Sequence, residues 1–147
     1  MRTFARLTVL LLLCVCSRAA DVLDLRGASI VLPAGASTPQ KKAAQMLHEE
    51  IESRTQLRLP VVEQWDGKSA AIVIGTPVEL RRLGAKSIQA SGRPEGFHLL
   101  SSRDGQPGVL IAGDDDRGVL FGSGYILRHL DMARQRLNLD SGLDVTS

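Results

Sequence analysis

Three consecutive acids, Asp114, Asp115 and Asp116, precede Arg117 and Gly118, between an apolar run that ends at Gly113 and the start of a helix-periodic segment. Carboxylates so placed can do three kinds of chemistry. They can cap the helix that opens there. An oxygen of Asp114 or Asp115 then accepts from unpaired main-chain N–H groups of the first turn, and the remaining charge favours the positive end of the dipole by about 0.3–1 kcal/mol per group. They can hold a metal, but calcium loops alternate their ligands and close on a distal Glu, and this run does neither. They can form the acid pair of a glycosidase, which needs two carboxyls facing each other across a sugar ring at roughly 5–9 Å. Neighbours on a capping turn are not presented that way by sequence logic. The spacing favours a structural motif made of Asp114, Asp115, Asp116, Arg117 and Gly118.

Other reactive groups are few. His48, His98 and His129 are the imidazoles; the first and last fall on helical segments and the middle one on a strand. Serines are present, but no nucleophile-elbow pattern organises them. Gly108 to Gly113 is Gly-x-x-x-x-Gly followed by acids, and negative charge there repels a pyrophosphate, so a dinucleotide fingerprint is excluded. Both cysteines, Cys14 and Cys16, lie near the N-terminus, which leaves the rest of the chain without a disulfide, a thiolate metal site or a cysteine nucleophile. The sequence assigns no catalytic, cofactor-binding or metal-binding residue and implies no cofactor.

The elements that must position this motif follow from periodicity. Val22 to Leu32 alternates apolar and polar and reads as one strand, bent at Gly27. Thr38 with Pro39 signals a helix start, and Ala43, Met46, Leu47 and Ile51 give a helix to Arg54 one apolar stripe. Leu57 to Val62 reads as a short edge strand, because Pro60 lacks an N–H. Ala70 to Gly75 is apolar throughout and reads as a central strand covered on both faces. Thr76 and Pro77 repeat the helix signal, with a stop at Gly84. Gly96 to Ser102 and Gly108 to Gly113 read as a hairpin around Arg103 to Pro107. A final helix runs from Asp114 to about Asp131, a short strand spans Gln135 to Leu139, and Asp140 to Ser147 has linker character. The fold class is an α/β (α+β) sandwich: one mixed sheet of about five strands with two long helices and one short one.

The last helix carries Gly118, Gly122 and Gly124, each costing ~1 kcal/mol relative to alanine. Val119, Ile126 and Leu130 form its core stripe. Phe121 and Tyr125, four apart, lie on another side. Phe121, Gly122 and Tyr125 are the candidate docking face.

Length and charge bound the rest. The chain has 147 residues, 44% hydrophobic and 3% aromatic, with 18 Lys+Arg against 16 Asp+Glu. Arg2, Arg6 and Arg18 fall in the first 19 residues, which hold no acid. The remaining 128 residues therefore carry 15 basic groups against 16 acids, a net charge of −1, and nucleic-acid binding loses its electrostatic basis. Residues 1–19 read as a signal peptide: Arg2 and Arg6, then the apolar run Leu7 to Cys16, then Ser17 and Ala19 as the small residues of a cleavage site. The run is too short to span a bilayer of ~30 Å. The expectation is export to the periplasm or the exterior, with no membrane attachment after cleavage. An uncleaved anchor is the alternative.

Several stretches together resemble a known family. They are Pro94-Glu95-Gly96-Phe97-His98-Leu99, Val109 to Gly113, Asp115-Asp116-Arg117-Gly118-Val119-Leu120-Phe121-Gly122 and Tyr125 to Arg128, with the helix Thr38 to Arg54 and the strand Ala71 to Gly75. The chain resembles the N-terminal non-catalytic domain of secreted glycoside hydrolases: that of alpha-glucuronidases and the related domain of beta-N-acetylhexosaminidases. The resemblance implies an accessory domain at 20–134, a linker at 135–147, and as partner a (β/α)₈ catalytic barrel in the same or a longer chain. Such a barrel needs ~250 residues, so the chain is expected to be a fragment and no catalytic residue carries over. The rival reading is a free-standing carbohydrate-binding module with polysaccharide as partner, which Trp65 and Tyr125 would have to serve.

Overall fold

The apolar run Ala71–Gly75 is buried at every position and becomes the strand around which the fold is built. The structure is a computed structural model that describes residues 21–147; the leader expected at 1–19, with Cys14 and Cys16, lies outside the described residues. In chain order the elements are β1 (Val22–Asp24), β2 (Ser29–Val31), α1 (Thr38–Thr55), β3 (Val61–Val62), β4 (Ala71–Gly75), α2 (Pro77–Arg82), β5 (Phe97–Ser102), β6 (Gly108–Gly113), α3 (Asp116–Leu127), β7 (Asp131–Ala133), β8 (Arg136–Asp140) and β9 (Asp144–Thr146).

Two sheets and three helices make a mixed α/β sandwich. The larger sheet has six strands in the order β3-β2-β4-β6-β5-β9, and the smaller has three in the order β1-β8-β7. Strands β3, β2, β4 and β6 run parallel, and β5 and β9 add antiparallel pairs. Side chains alternate across the large sheet with a period of two. Ile72, Ile74, Val109 and Ile111 enter the main core with Ala43, Leu47 and Ile51 of α1 and Val119 and Ile126 of α3. Ala71, Val73, Leu110 and Ala112 point the other way, into a smaller core closed by Leu80 of α2 with Ala85 and Ile88. The small sheet adds Leu23, Leu137 and Leu139 to the main core.

Helix starts follow from local chemistry. Ser37, not Thr38, caps α1: its hydroxyl accepts from the Gln40 N–H at 3.3 Å, and the Gln40 side chain accepts from the Ser37 N–H at 3.0 Å. Thr76 and Glu79 form the same reciprocal box at α2.

Four further expectations change. Val22 to Leu32 is two strands in two sheets, because the chain turns at Leu25–Ala28, where the Ala28 N–H reaches the Leu25 carbonyl at 3.0 Å. Of Leu57 to Val62, only Val61–Val62 pairs as strand. The last helix stops at Leu127, and β7 follows it. Residues 135–147 are no linker: β8 pairs on both sides in the small sheet, and β9 pairs with β5. Among the described residues no helix is long and apolar enough to cross a membrane.

Ser123 is fully buried within α3, and its hydroxyl has no hydrogen-bond partner among the described residues. A lone buried hydroxyl costs its desolvation, and alanine is the better helix former. Ser123→Ala is therefore expected to raise stability by about 1 kcal/mol, read as a higher urea midpoint with an unchanged slope.

Candidate functional site

The end of β6 and the start of α3 form a tight corner with the loop at residues 91–96. The Asp114 carboxylate accepts from the Ser91 N–H at 2.7 Å, the Ser91 hydroxyl at 2.9 Å and the Arg93 N–H at 2.8 Å. Asp115 is the N-cap of α3: one oxygen accepts from the Gly118 N–H at 2.8 Å and the other from the Glu95 N–H at 2.9 Å. Asp116 lies in the first turn, where negative charge suits the dipole. Arg117 pairs with Glu95 across the corner.

The main chains are in close contact here. The Asp114 N–H donates to the Gly96 carbonyl at 2.9 Å. A methyl on Gly118 would overlap that same carbonyl oxygen and come within 3.1 Å of the Gly113 Cα. A methyl on Gly113 would overlap the Val119 nitrogen. Asp114, Asp115 and Gly118 thus fasten a loop some twenty residues earlier to the first turn of α3.

The electrostatics agree. Burial is the largest single influence on Asp114 and opposes its ionisation, but the N–H groups of Arg93 and Ser91 and the Ser91 hydroxyl outweigh it and hold the carboxyl below its ordinary value. The Gly118 N–H, then the Glu95 N–H, lower Asp115. A carboxyl lowered in the folded state adds stability above its unfolded value, about 3.9, and loses it as pH falls through the lower folded value. Asp114→Asn is expected to cost about 1–2 kcal/mol at pH 7. The gap to the parent protein should narrow as pH falls below about 4 and through the lower folded value. Urea midpoints at pH 7, 4 and 2 check this; a gap independent of pH would mean that ionised Asp114 is not what holds the loop.

The residues expected to dock lie further along α3. Phe121 is 51% exposed. Tyr125 is half-buried, with its ring centroid 5.5 Å from Phe97 and 4.1 Å from His129, on which it stacks. Gly122, grouped with them by sequence, instead faces the sheet: a methyl there would lie 2.6 Å from Ile111 Cγ2 and 3.2 Å from the Phe97 ring. It lets α3 sit close to β5 and β6.

The imidazoles are scattered. His48 Nδ1 lies 2.9 Å from the Leu59 carbonyl oxygen, and His129 Nδ1 lies 2.9 Å from that of Tyr125. His98 is buried, with Nδ1 accepting from the Gln89 N–H at 3.3 Å and Nε2 2.8 Å from Asp144 on β9. Among the described residues no group of three or more His, Cys, Asp or Glu is placed to hold a metal ion. A cleft of about 520 Å³ opens at the other end of the large sheet, lined by Lys68, Lys86, Leu100, Asp104 and Leu110 among others. Trp65 beside it is half-buried, and its indole N–H donates to the Ser69 carbonyl at 3.1 Å.

Sequence spacing missed Ser91, Arg93 and Glu95 as partners of the acidic motif. They lie twenty or more residues before the groups they serve, and nothing local marks them.

Residues 20–129 match the family described as Glycosyl hydrolase family 67 N-terminus. The fold is similar to that of a family GH115 4-O-methyl-alpha-glucuronidase with specificity for decorated arabinogalactans, at 15% identity and a TM-score of 0.62, over 85% of this chain and 18% of that one. It is also similar to the GH20 beta-N-acetylhexosaminidase of Streptomyces coelicolor A3(2), at 19% identity and a TM-score of 0.55, over 83% of this chain and 22% of that one. The N-acetyl-beta-hexosaminidase of Streptomyces plicatus gives 18% identity and a TM-score of 0.53, over 87% of this chain and 24% of that one. At such identities the likeness is one of fold. Among curated proteins, the 5'-nucleotidase SurE of Hyphomonas neptunium (strain ATCC 15444) is 33% identical over 86 residues, which are 57% of this chain. The chain spans 34% of that protein's length.

Proposed function

Because the chain belongs to the family of the glycosyl hydrolase family 67 N-terminus, we propose that it is the structural N-terminal domain of a longer, exported, alpha-glucuronidase-like hydrolase. Catalysis then belongs to a (β/α)₈ barrel that follows it in the polypeptide. The observation that carries this reading is the match over residues 20–129, which takes in both core layers of the large sheet. The acidic motif supports it. Asp114 and Asp115 are occupied by main-chain N–H groups, which is the work of a joint. In this reading residues 1–19 direct export, residues 20–147 form the domain, and the Phe121 and Tyr125 side of α3 faces the barrel.

Reading the coding DNA past Ser147 tests it. An open frame of several hundred residues that encodes a barrel is the expected result. A stop followed by an unrelated gene would sink the proposal. Cleavage after Ala19 is checked by N-terminal sequencing of the exported protein.

A free-standing carbohydrate-binding module would need exposed aromatic platforms. Trp65 is tied to Ser69, and Tyr125 is packed between Phe97 and His129, so neither ring favours that reading.

A further inference from the structure

Of the three glycines inside α3, two are explained by the domain's own packing and one is not. Gly118 lies against the Gly96 carbonyl, and Gly122 against Ile111 and Phe97. Gly124 has helical backbone, and beyond its own helix turn a methyl built on it would meet, among the described residues, only the Arg128 guanidinium, at 3.9 Å. Glycine is the least favourable helix-interior residue after proline, and nothing among the described residues calls for it here. Its remaining physical use is to let another main chain come close.

The surroundings of Gly124 fit that use. Arg117, Phe121, Gly124 and Arg128 follow at steps of four, three and four, which is one helix face. Phe121 is half-exposed on this face. Arg117 is held by Glu95, whereas Arg128 is exposed and makes no ion pair among the described residues. Ser147 also lies beside this helix. The Ser147 N–H donates to the Phe97 carbonyl at 3.0 Å, and the Ser147 hydroxyl accepts from the Phe97 N–H at 2.9 Å. The Phe97 ring in turn packs on Tyr125 of α3. A polypeptide continuing past Ser147 starts next to α3.

We infer that Gly124 is the point where the main chain of the catalytic domain following Ser147 lies directly on α3, with Phe121 in an apolar pocket of that domain and Arg128 against its carboxylates or carbonyl oxygens. This rests on the proposed role as the N-terminal domain of a longer hydrolase.

The test compares the 147-residue chain with the full polypeptide. In the 147-residue chain, Gly124→Ala is expected to raise the melting temperature by about 2–4 °C, as removal of an unneeded helix glycine does. In the full polypeptide the same change is expected to lower it, and amide hydrogen exchange in α3 is expected to quicken about tenfold or more. A rise in both settings, or a fall in both, overturns the inference, because Gly124 would then answer only to the domain itself. Phe121→Ser separates the two proposals. If it quickens α3 exchange in the full polypeptide while Gly124→Ala does not, the contact at Gly124 fails and the docking face stands. If Phe121→Ser also has no effect there, the docking face itself fails. A reading frame that encodes no catalytic domain overturns both.

Discussion

Gly108→Ala is expected to destabilise the domain by about 3–5 kcal/mol, a large share of the roughly 5–15 kcal/mol that holds an ordinary domain folded. Two costs coincide at this residue. Its φ is +137°, a region that side chains rarely enter. The added methyl would overlap the Ala71 carbonyl oxygen and lie 2.9 Å from the Ala71 nitrogen. Ala71 and Gly108 are register partners where the parallel strands β4 and β6 begin, so neither main chain can move without shifting the central ladder. Thermal unfolding followed by far-UV circular dichroism measures the effect. A melting temperature within a degree or two of the parent's would show that β6 can re-enter the sheet in another way.

Gly118→Ala is expected to cost about 2–4 kcal/mol, although alanine for glycine inside a helix ordinarily stabilises. The methyl would overlap the Gly96 carbonyl oxygen, which already accepts from the Asp114 N–H. Relief requires the loop at 91–96 to lift from α3. That movement also breaks the bonds from Ser91 and Arg93 to Asp114 and from Glu95 to Asp115. The loss should therefore exceed that of a single poor contact. Urea unfolding gives the cost, and hydrogen exchange at residues 91–96 locates it. Unchanged protection in that loop would mean that the corner is not one joined unit.

Much of the fold could be read from residue types alone. Apolar runs placed β4 and the β5–β6 hairpin, Thr-Pro pairs placed α1 and α2, and the acidic run placed the start of α3, because these features are specified by neighbours within a few positions. The α1 cap was misjudged by one residue because Ser37 and Thr38 are both good caps, and only the reach of Gln40 decides between them. What failed was non-local. The alternation changes phase at Gly27, from Leu23 and Leu25 to Ala28 and Ile30, and such a slip reads as a bend in one strand as readily as a passage between two sheets. The short strands β7 and β9 draw their structure from partners, Arg136–Asn138 and His98–Leu100, rather than from their own sequence. The candidate site divides the same way. Asp115 and Gly118 were visible as a helix start, while Asp114's three partners were not, because a carboxylate's choice of a distant amide leaves no periodic trace.

The pairing of β1 with β8 also sets an order of events. Val22 is held opposite Asp140, and Asp24 opposite Asn138. A ribosome adding about 5–20 residues per second needs on the order of ten seconds to pass from one partner to the other. Throughout that interval Leu23 and Leu25 have no sheet to enter, although the six-stranded layer can already begin to form around β4. The first strand made is thus among the last to be placed. A nascent chain paused before Arg136 exposes the very leucines that complete the core, which makes the tempo of synthesis through β8 a condition for avoiding aggregation.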